Sequence, residues 1–253
     1  DCQGNPGKVK HTGDGSGSGV EVESGCTFNM YGGTITNNTA TKGGGVYVGG
    51  GTFNMYGGEI AHNKSEGENS SGGGVYVVNG TFTMSGGTIS GNEATNGADG
   101  GVGVYNDATF TMSGGKITGN KARSYSGGVG VHSKATFIMS GGTIGGTSAS
   151  DANTANYGGG VNVGNYGQFE MTGGEISGNK ATENGGGVYV NSGTFNMTDG
   201  TIGGGNTADQ GGGVYVSSGT FTMSGGSITG NDGNGVFVHD NAATTFTVSG
   251  APT

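Results

Sequence analysis

Residues 43–63, GGGVYVGGGTFNMYGGEIAHN, are the clearest copy of a unit that returns along almost the whole chain. The phenylalanine of its TFxM core recurs at intervals of 25 to 32 residues. The nine copies are Phe28, Phe53, Phe82, Phe110, Phe137, Phe169, Phe195, Phe221 and Phe246. A period of this length indicates a repeat protein whose units stack on one another.

Within one unit the side chains alternate as they do in strands. Val46 and Val48 point to one side and Tyr47 to the other, and Phe53 and Met55 then continue the apolar side. An isoleucine from a third short segment joins the same side, and glycines stand at each corner between the segments. Each unit is therefore predicted to contain three short strands.

A single thin coil exposes both of its edges, so units of this kind bury apolar side chains only by stacking. The sequence predicts an all-β fold, a right-handed parallel β-helix (β-solenoid) of about nine coils of 25 to 32 residues. The 65 glycines fit it because they occupy corners that need positive φ or close backbone approach. We assign residues 1–18 to an irregular N-terminal coil or cap. Residues 19–253 are predicted to form the β-helix repeats, and we expect a truncated or docking C-terminal end.

Stacking turns equivalent positions into columns, and two columns are predicted to face inward. One contains all eight methionines, beside the phenylalanines, and we interpret it as core. The other contains Asn38, Asn63, Asn92, Asn120, Asn179 and Asn231, whose amides can hydrogen-bond from coil to coil. Thr147 and Gly205 interrupt this asparagine ladder, so altered turns are expected there, with Asn206 as a substitute shifted by one residue.

Two outward columns are the candidate contact surfaces. One contains Tyr47, Tyr76, Tyr189 and Tyr215, with Gly103, Gly130 and Asn162 between them. Stacked strand aromatics and sugar-binding or protein-binding surfaces both fit this pattern. The other presents pairs with Thr-x-Thr spacing, namely Thr81/Thr83, Thr109/Thr111 and Thr220/Thr222. Such arrays resemble the ice-binding face of some β-solenoid antifreeze proteins, although threonine is also a favoured strand residue.

The segment before each glycine-rich corner is the only one that varies in length. It runs from four residues at 39–42 to TSASDANTANY at 147–157. Length variation at one corner predicts loops that project from one edge of the rod, where recognition would be expected.

Charge and cysteine content limit the partners and the compartment. The net charge is −9 and Arg123 is the single arginine, which argues against a nucleic-acid partner. No apolar run reaches the roughly 20 residues of a membrane span, so no membrane insertion is expected. Cys2 and Cys26 lie about one coil apart and are a candidate disulfide at the N-terminal end. Such a bond would place the protein outside the cytoplasm.

Catalysis on a β-helix needs carboxylates that converge on one outer face. Glu170 and Glu175 are the best candidate pair, but the corner at residues 173–174 separates them. The histidines occupy unrelated positions and are interpreted as surface residues, namely His11, His62, His132 and His239. We therefore predict no enzymatic activity, with no catalytic, cofactor-binding or metal-binding residues.

The repeated phrase GGGVYV…GTFTMSGGTISGN, as at residues 72–92 and 211–231, resembles the β-helix repeats of adhesin-like cell-surface proteins of gut bacteria and methanogenic archaea. Its GGGV and IxxN elements are also similar to the GGAI and FxxN repeats of polymorphic outer membrane proteins. The resemblance covers residues 19–250. It implies an extracellular rod carried on a longer surface protein that contacts host cells, matrix or other microbes.

The sequence thus favours an extracellular, non-enzymatic β-solenoid that acts as a cell-surface adhesin or adhesin stalk, with a surface glycan or protein as its partner. Three alternatives remain open. The chain could be a subunit of a filament that self-associates head to tail, a protein that binds an ice or polysaccharide lattice through its Thr-x-Thr face, or a carbohydrate-active enzyme.

Overall fold

Each sequence repeat folds into one coil, because its apolar alternation makes strands and its glycines make the corners between them. In the computed structural model, which describes residues 8–9, 17–241 and 243–250, these coils form a parallel β-solenoid of about eight turns. The predicted fold class is confirmed.

Three kinds of strand recur, and we name them by their sequences. The VYV strands are Val20–Glu23, Val46–Gly49, Val75–Val78, Val102–Tyr105, Val129–Val131, Val161–Gly164 and Val236–Val238. The TFxM strands are Thr27–Met30, Thr52–Met55, Thr81–Met84, Thr109–Met112, Thr136–Met139 and Thr244–Val248. The TI strands are Thr34–Thr36, Glu59–Ala61, Thr88–Ser90, Lys116–Thr118, Thr143–Gly145 and Ser227–Thr229. In the later coils neighbouring strands merge across a corner, giving Gln168–Ser177, Val188–Gly203 and Val214–Met223.

Short elements complete the coils. A second sheet of six strands follows the asparagine corner, formed by Thr39–Ala40, Lys64–Ser65, Glu93–Ala94, Lys121–Ala122, Thr154–Tyr157 and Lys180–Asn184. A two-residue strand, Lys8–Val9, pairs with Thr34–Thr36, and a 3-10 turn covers Ala149–Asp151. The described part of the chain contains no helix long and apolar enough to cross a membrane.

Pairing between coils is parallel and keeps equivalent residues in register. Phe82, for example, is the partner of Phe53 on one side and of Phe110 on the other. Consecutive phenylalanine rings stack with centroids between 4.6 and 5.2 Å apart, which matches the spacing of neighbouring strands. The predicted phenylalanine column is therefore a continuous ring stack.

The core lies inside the coils and consists of buried apolar side chains. Phe53, Met84 and Ile117 are fully buried, as are the inward valines of the VYV strands from Val46–Gly49 to Val161–Gly164. The methionines also shape the corners, because the Cε atom of Met55 lies 2.6 Å from where a Cβ of Gly87 would stand. Gly87 also has φ +86°, so glycine is required there for two independent reasons.

The asparagine ladder is longer than the sequence predicts. The Nδ2 of Asn63 donates to Asn92 Oδ1 at 3.1 Å and to the Ile35 carbonyl at 2.9 Å, and this pattern repeats from coil to coil. Asn206 occupies the shifted position, as predicted, and accepts from Asn179 Nδ2 at 3.0 Å.

The altered turn expected at Thr147 is present, but the expected interruption of the asparagine ladder there is wrong. The coil inserts residues 147–152, including the 3-10 turn, and Asn153 then enters the ladder in place of Thr147. This insertion lies before the ladder asparagine, whereas the loops at residues 66–71 and 95–98 follow it, so the prediction that length varies at one corner only is wrong. Asn120 Nδ2 donates to Asn153 Oδ1 at 3.0 Å, and Asn153 Nδ2 donates to Asn179 Oδ1 at 2.9 Å. The coil thus accommodates the extra residues outside the ladder, because the buried carbonyls need an amide partner.

The assignment of inside and outside predicts a difference between neighbouring residues. Phe137→Ala should lower the free energy of unfolding by about 3 to 5 kcal/mol, because the ring is fully buried in a central coil. Thr136→Ala, on the half-exposed outer side of the same strand, should cost less than about 0.5 kcal/mol. Urea denaturation of both variants makes the comparison, and equal losses would contradict the assignment.

Candidate functional site

The tyrosines of the predicted outward column form a ring stack rather than an open surface. Tyr76, Tyr189 and Tyr215 are only 5%, 7% and 3% exposed, while Tyr47 is half-buried. Their ring centroids lie 5.7 Å apart for Tyr47 and Tyr76 and 5.5 Å apart for Tyr189 and Tyr215. The faces of these rings cover one another, so a partner would meet mainly edges and hydroxyl groups.

Other aromatic side chains continue this stack where the column itself has glycine. Tyr105 stacks on Tyr76 with centroids 5.0 Å apart, and His132 stacks on Tyr105 at 4.7 Å. From the other end, Tyr157 packs against Tyr189 at 5.2 Å, and Tyr125 stacks on Tyr157 at 5.3 Å. The interpretation of His132 as a surface residue is therefore wrong, since it is 6% exposed. His62 and His239 are exposed, and His11 lies outside the described residues.

Local backbone geometry explains why the rings in these coils come from residues outside the tyrosine column. The first glycine of the GGGVYV phrase has positive φ, as at Gly72 with φ +62°, and a Cβ there would stand 2.9 Å from the Cβ of Tyr76. In two coils this glycine is replaced by Asp99 or by Ser126, which keep the left-handed backbone at φ +64° and +51°. The residue four positions later is then Gly103 or Gly130 instead of tyrosine. A Cβ on Gly130 would overlap the Asp99 carboxylate.

This exchange places a carboxylate at the centre of a buried polar cluster. Both Oδ2 contacts are short, with Ser71 Oγ donating at 2.7 Å and the Tyr105 hydroxyl at 2.6 Å. Asp99 Oδ1 accepts from Ser126 Oγ at 2.7 Å and lies 3.3 Å from His132 Nε2. The Asp99 side chain is fully buried. We call these five residues the Asp99 cluster.

The cluster keeps its carboxylate ionised. Burial opposes the charge, but the adjacent His132 and hydrogen bonds from His132, Tyr105 and Ser71 outweigh it and lower the pKa of Asp99. Burial and the neighbouring carboxylate raise the pKa of Tyr105 well above its usual value, and the same two causes raise that of Tyr76 to about 12. Both phenols therefore remain protonated. The Tyr105 hydroxyl donates to Asp99, and the Tyr76 hydroxyl accepts from Lys42 Nζ.

The geometry of the cluster suits positioning better than nucleophilic catalysis. In a hydrolase triad the histidine accepts the proton of the nucleophile and the carboxylate orients the histidine. Here Ser71 and Ser126 each donate directly to Asp99, and His132 Nε2 contacts the same carboxylate. Four donors occupy the two oxygens, so the arrangement fixes side chains from three successive coils.

Sequence reasoning missed the Asp99 cluster, although a signal was present. DGGVGVY at residues 99–105 and SGGVGVH at 126–132 each depart from GGGVYV at two linked positions. The first glycine of the phrase is replaced by Asp99 or Ser126, and the tyrosine is replaced by Gly103 or Gly130. An aromatic residue, Tyr105 or His132, then appears two positions after the new glycine. Read together, these changes indicate a side chain that takes the place of a tyrosine ring.

The Thr-x-Thr face has the register that the sequence predicts. Thr81 pairs with Thr109 and Thr83 pairs with Thr111 in adjacent coils, and all four are half-buried. Ile138 and Glu170 occupy the next two coils of the second column. Thr220 and Thr222 lie further along, beyond this interruption.

The remaining candidates are separated in space or lie partly outside the described residues. Glu170 pairs with Asn196 in a TFxM segment, whereas Glu175 pairs with Thr201 after the corner at residues 173–174. The two exposed carboxylates thus belong to different faces of the coil. Cys26 is exposed, and its predicted partner Cys2 lies outside the described residues.

Comparison of the chain with protein-family models, with curated proteins and with solved structures finds no match. Functional inference therefore starts from the geometry of the coils and from the repeat motifs.

The Asp99 cluster predicts a buried, charge-dependent contribution to stability. Asp99→Asn keeps a side chain that tolerates the left-handed backbone but replaces one acceptor oxygen with a donor. We expect it to lower the free energy of unfolding at pH 7 by about 3 kcal/mol. Asp107→Asn, at an exposed turn of the same coil, should cost less than about 0.5 kcal/mol.

The pH dependence follows from the lowered pKa of Asp99. Its contribution is fully present above the unfolded value of about 3.9 and is lost as the pH falls through the folded pKa. Urea denaturation between pH 7 and pH 2 should therefore show a shallower acid decline for Asp99→Asn than for Asp107→Asn. Identical declines would contradict an ionised, buried Asp99.

Proposed function

We propose that the chain is an extracellular, non-enzymatic β-solenoid that serves as a stiff spacer within a cell-surface adhesin. The observation that carries this proposal is the constant register between coils. Phe, Met, Ile and Asn columns run through the stack, and the insertion at residues 147–152 leaves them continuous. A body built in this way gains length with each coil and keeps one cross-section.

Two further features support the surface location. The repeats resemble those of adhesin-like surface proteins, and only 11% of the residues are charged, with 18 acidic and 9 basic side chains. Loops of variable length lie before the ladder asparagine at residues 147–152 and after the second sheet at residues 66–71, and they change the outline of the spacer without changing its core. These features motivate the assignment, and the modular behaviour of the coils can be tested directly.

A spacer of this design should shorten by one coil when one coil is removed. Deleting residues 185–210 joins Asn184 to Gly211 and recreates the native Asn184–Gly185 junction. Spin labels at Thr83→Cys and Thr222→Cys, with Cys2 and Cys26 changed to serine, lie five coil spacings apart, about 24 Å. We expect a narrow distance distribution that moves to about 19 Å in the deletion variant.

Deleting residues 185–197 instead removes half a coil and is the matched control. It brings strand residues opposite corner residues in the next coil, so it should unfold the chain locally and broaden the distribution. A whole-coil deletion that behaves like the half-coil deletion would contradict the spacer proposal, as would a broad distribution in the undeleted chain.

The second candidate function is binding to an ordered lattice such as ice or a polysaccharide surface. It is favoured by the in-register pairs Thr81 with Thr109 and Thr83 with Thr111, which form a regular array of hydroxyl and methyl groups on a parallel sheet. Ile138 and Glu170 limit the array to the first half of the solenoid.

Lattice binding through this face would be sensitive to one bulky side chain. If the face binds ice, the purified chain should show thermal hysteresis, and Thr109→Tyr should abolish it by raising a ring above the array. Thr88→Tyr is the control, because Thr88 lies half-exposed on the TI strand of the neighbouring face. Absence of hysteresis in the parent chain, or equal loss in both variants, would exclude this candidate for ice.

A further inference from the structure

A groove opens along the loop edge beside the Asp99 cluster. Its volume is about 350 Å³, and its lining includes Lys42, Asn69, Tyr76, Asn96, Ala98 and Tyr125. It lies along the column of residues that precede the first glycine of each coil. In this column Lys42 pairs with Ser71, Ser71 pairs with Ala98, and Tyr125 pairs with Tyr157. Small side chains at two consecutive coils create the opening.

One wall of the groove is an aromatic ring face. Tyr125 stacks on Tyr157 at 5.3 Å and lies 6.5 Å from Tyr189, both in later coils. On the side of the earlier coils its neighbours in the groove are Gly97 and Ala98, so no ring among the described residues covers that face. Tyr125 is half-exposed and ends its stack at the groove.

The floor is held rigidly by the Asp99 cluster. Tyr76 and Tyr105 stack on each other at 5.0 Å and line the groove together. Tyr105 donates to Asp99 at 2.6 Å, and the buried Ser71 donates to the same oxygen at 2.7 Å. A ligand would therefore meet preorganised groups and would not have to order them on binding.

The rim carries polar groups with little net charge. Asn69 and Asn96 are exposed side-chain amides on two successive loops, and Lys42 places its Nζ 3.4 Å from the Tyr76 hydroxyl. Lys42 is the one cation in the lining, and the nearby carboxylate of Asp99 is buried with its oxygens occupied. An anionic polymer would find a single positive charge here, so the groove favours a neutral polar ligand.

These features specify a ligand with a flat apolar face and a hydroxylated edge. A ring face bounded by amides and hydroxyls suits a sugar ring, whose C–H groups pack on the aromatic while its hydroxyls bond at the edge. From Tyr125 back to Ser71 the opening spans two coil spacings, about 9.6 Å, which admits one ring with its substituents.

We propose that this groove binds a residue of a neutral saccharide, with the sugar ring packed on Tyr125 and its hydroxyls bonded to Asn69, Asn96 and Lys42. Asp99 holds Ser71 and Tyr105 in place at the floor and, being fully buried, does not itself contact the sugar. Such a site adds recognition to the spacer and is independent of it, since loss of binding would leave the distance between spin labels unchanged.

Isothermal titration with defined oligosaccharides tests the proposal. Cellotetraose, xylotetraose and mannotetraose represent plant polysaccharides, while chitotetraose and N-acetyllactosamine represent N-acetylated glycans. We expect saturable binding in at least one of these two groups, which also identifies the source. Tyr125→Ala should weaken it by about tenfold, and Tyr166→Ala should leave it unchanged, because Tyr166 is 75% exposed and is not in the groove lining.

A second variant separates binding from folding. Ala98→Tyr extends the stack of Tyr125 and Tyr157 by one ring and fills the groove, so it should abolish binding while the thermal unfolding midpoint stays the same or rises. The proposal is overturned if no saccharide binds, if a proline-rich peptide binds and the saccharides do not, or if Ala98→Tyr binds as tightly as the parent chain.

Discussion

The structure depends on parallel backbone hydrogen bonding between coils that stay in register. A coil of this size has too few apolar side chains to form a core alone, so each coil is folded only because its neighbours cover it. Register then decides the environment of every side chain. The neighbours of Phe82 are Phe53 and Phe110, and a slip by one residue would place threonines inside. The same constraint fixes the corners, where the Cε atom of Met55 needs the space that Gly87 leaves open.

Because register must be preserved, variation is confined to positions that do not disturb the ladder. The insertion before Asn153 shows how strictly this holds, since the chain leaves the coil for several residues and then returns an asparagine to the ladder position. Buried carbonyls at this corner have no water to replace a lost amide, so the hydrogen bond is restored at the cost of a longer loop. The loops that follow the second sheet, at residues 66–71 and 95–98, also differ in length without disturbing the ladder, and the groove forms between them.

The Asp99 cluster is a second solution to packing at the VYV corner. In four coils a glycine leaves room for a tyrosine ring, and in two coils a glycine at the ring position leaves room for Asp99 or Ser126. A buried carboxylate is costly unless it is paired and hydrogen-bonded, and here four donors from its own coil and the two neighbouring coils surround it. The stack thereby retains its continuity through Tyr105 and His132, while Tyr125 is left as the end of a second stack. The break between these two ring stacks separates the groove from the uniform surface on either side of it.

The sequence alone determined the fold class, the strands and the inward columns. It could do so because stacking repeats the same local choice in each coil, so that period and alternation carry three-dimensional information. It also placed Asn206 in the ladder correctly. Only the tertiary structure decided where Asn153, His132 and Tyr125 lie, because each is displaced from the repeat and its environment is set by side chains in other coils. The Asp99 cluster joins residues from Ser71 to His132, and contacts at such separations depend on how the coils stack.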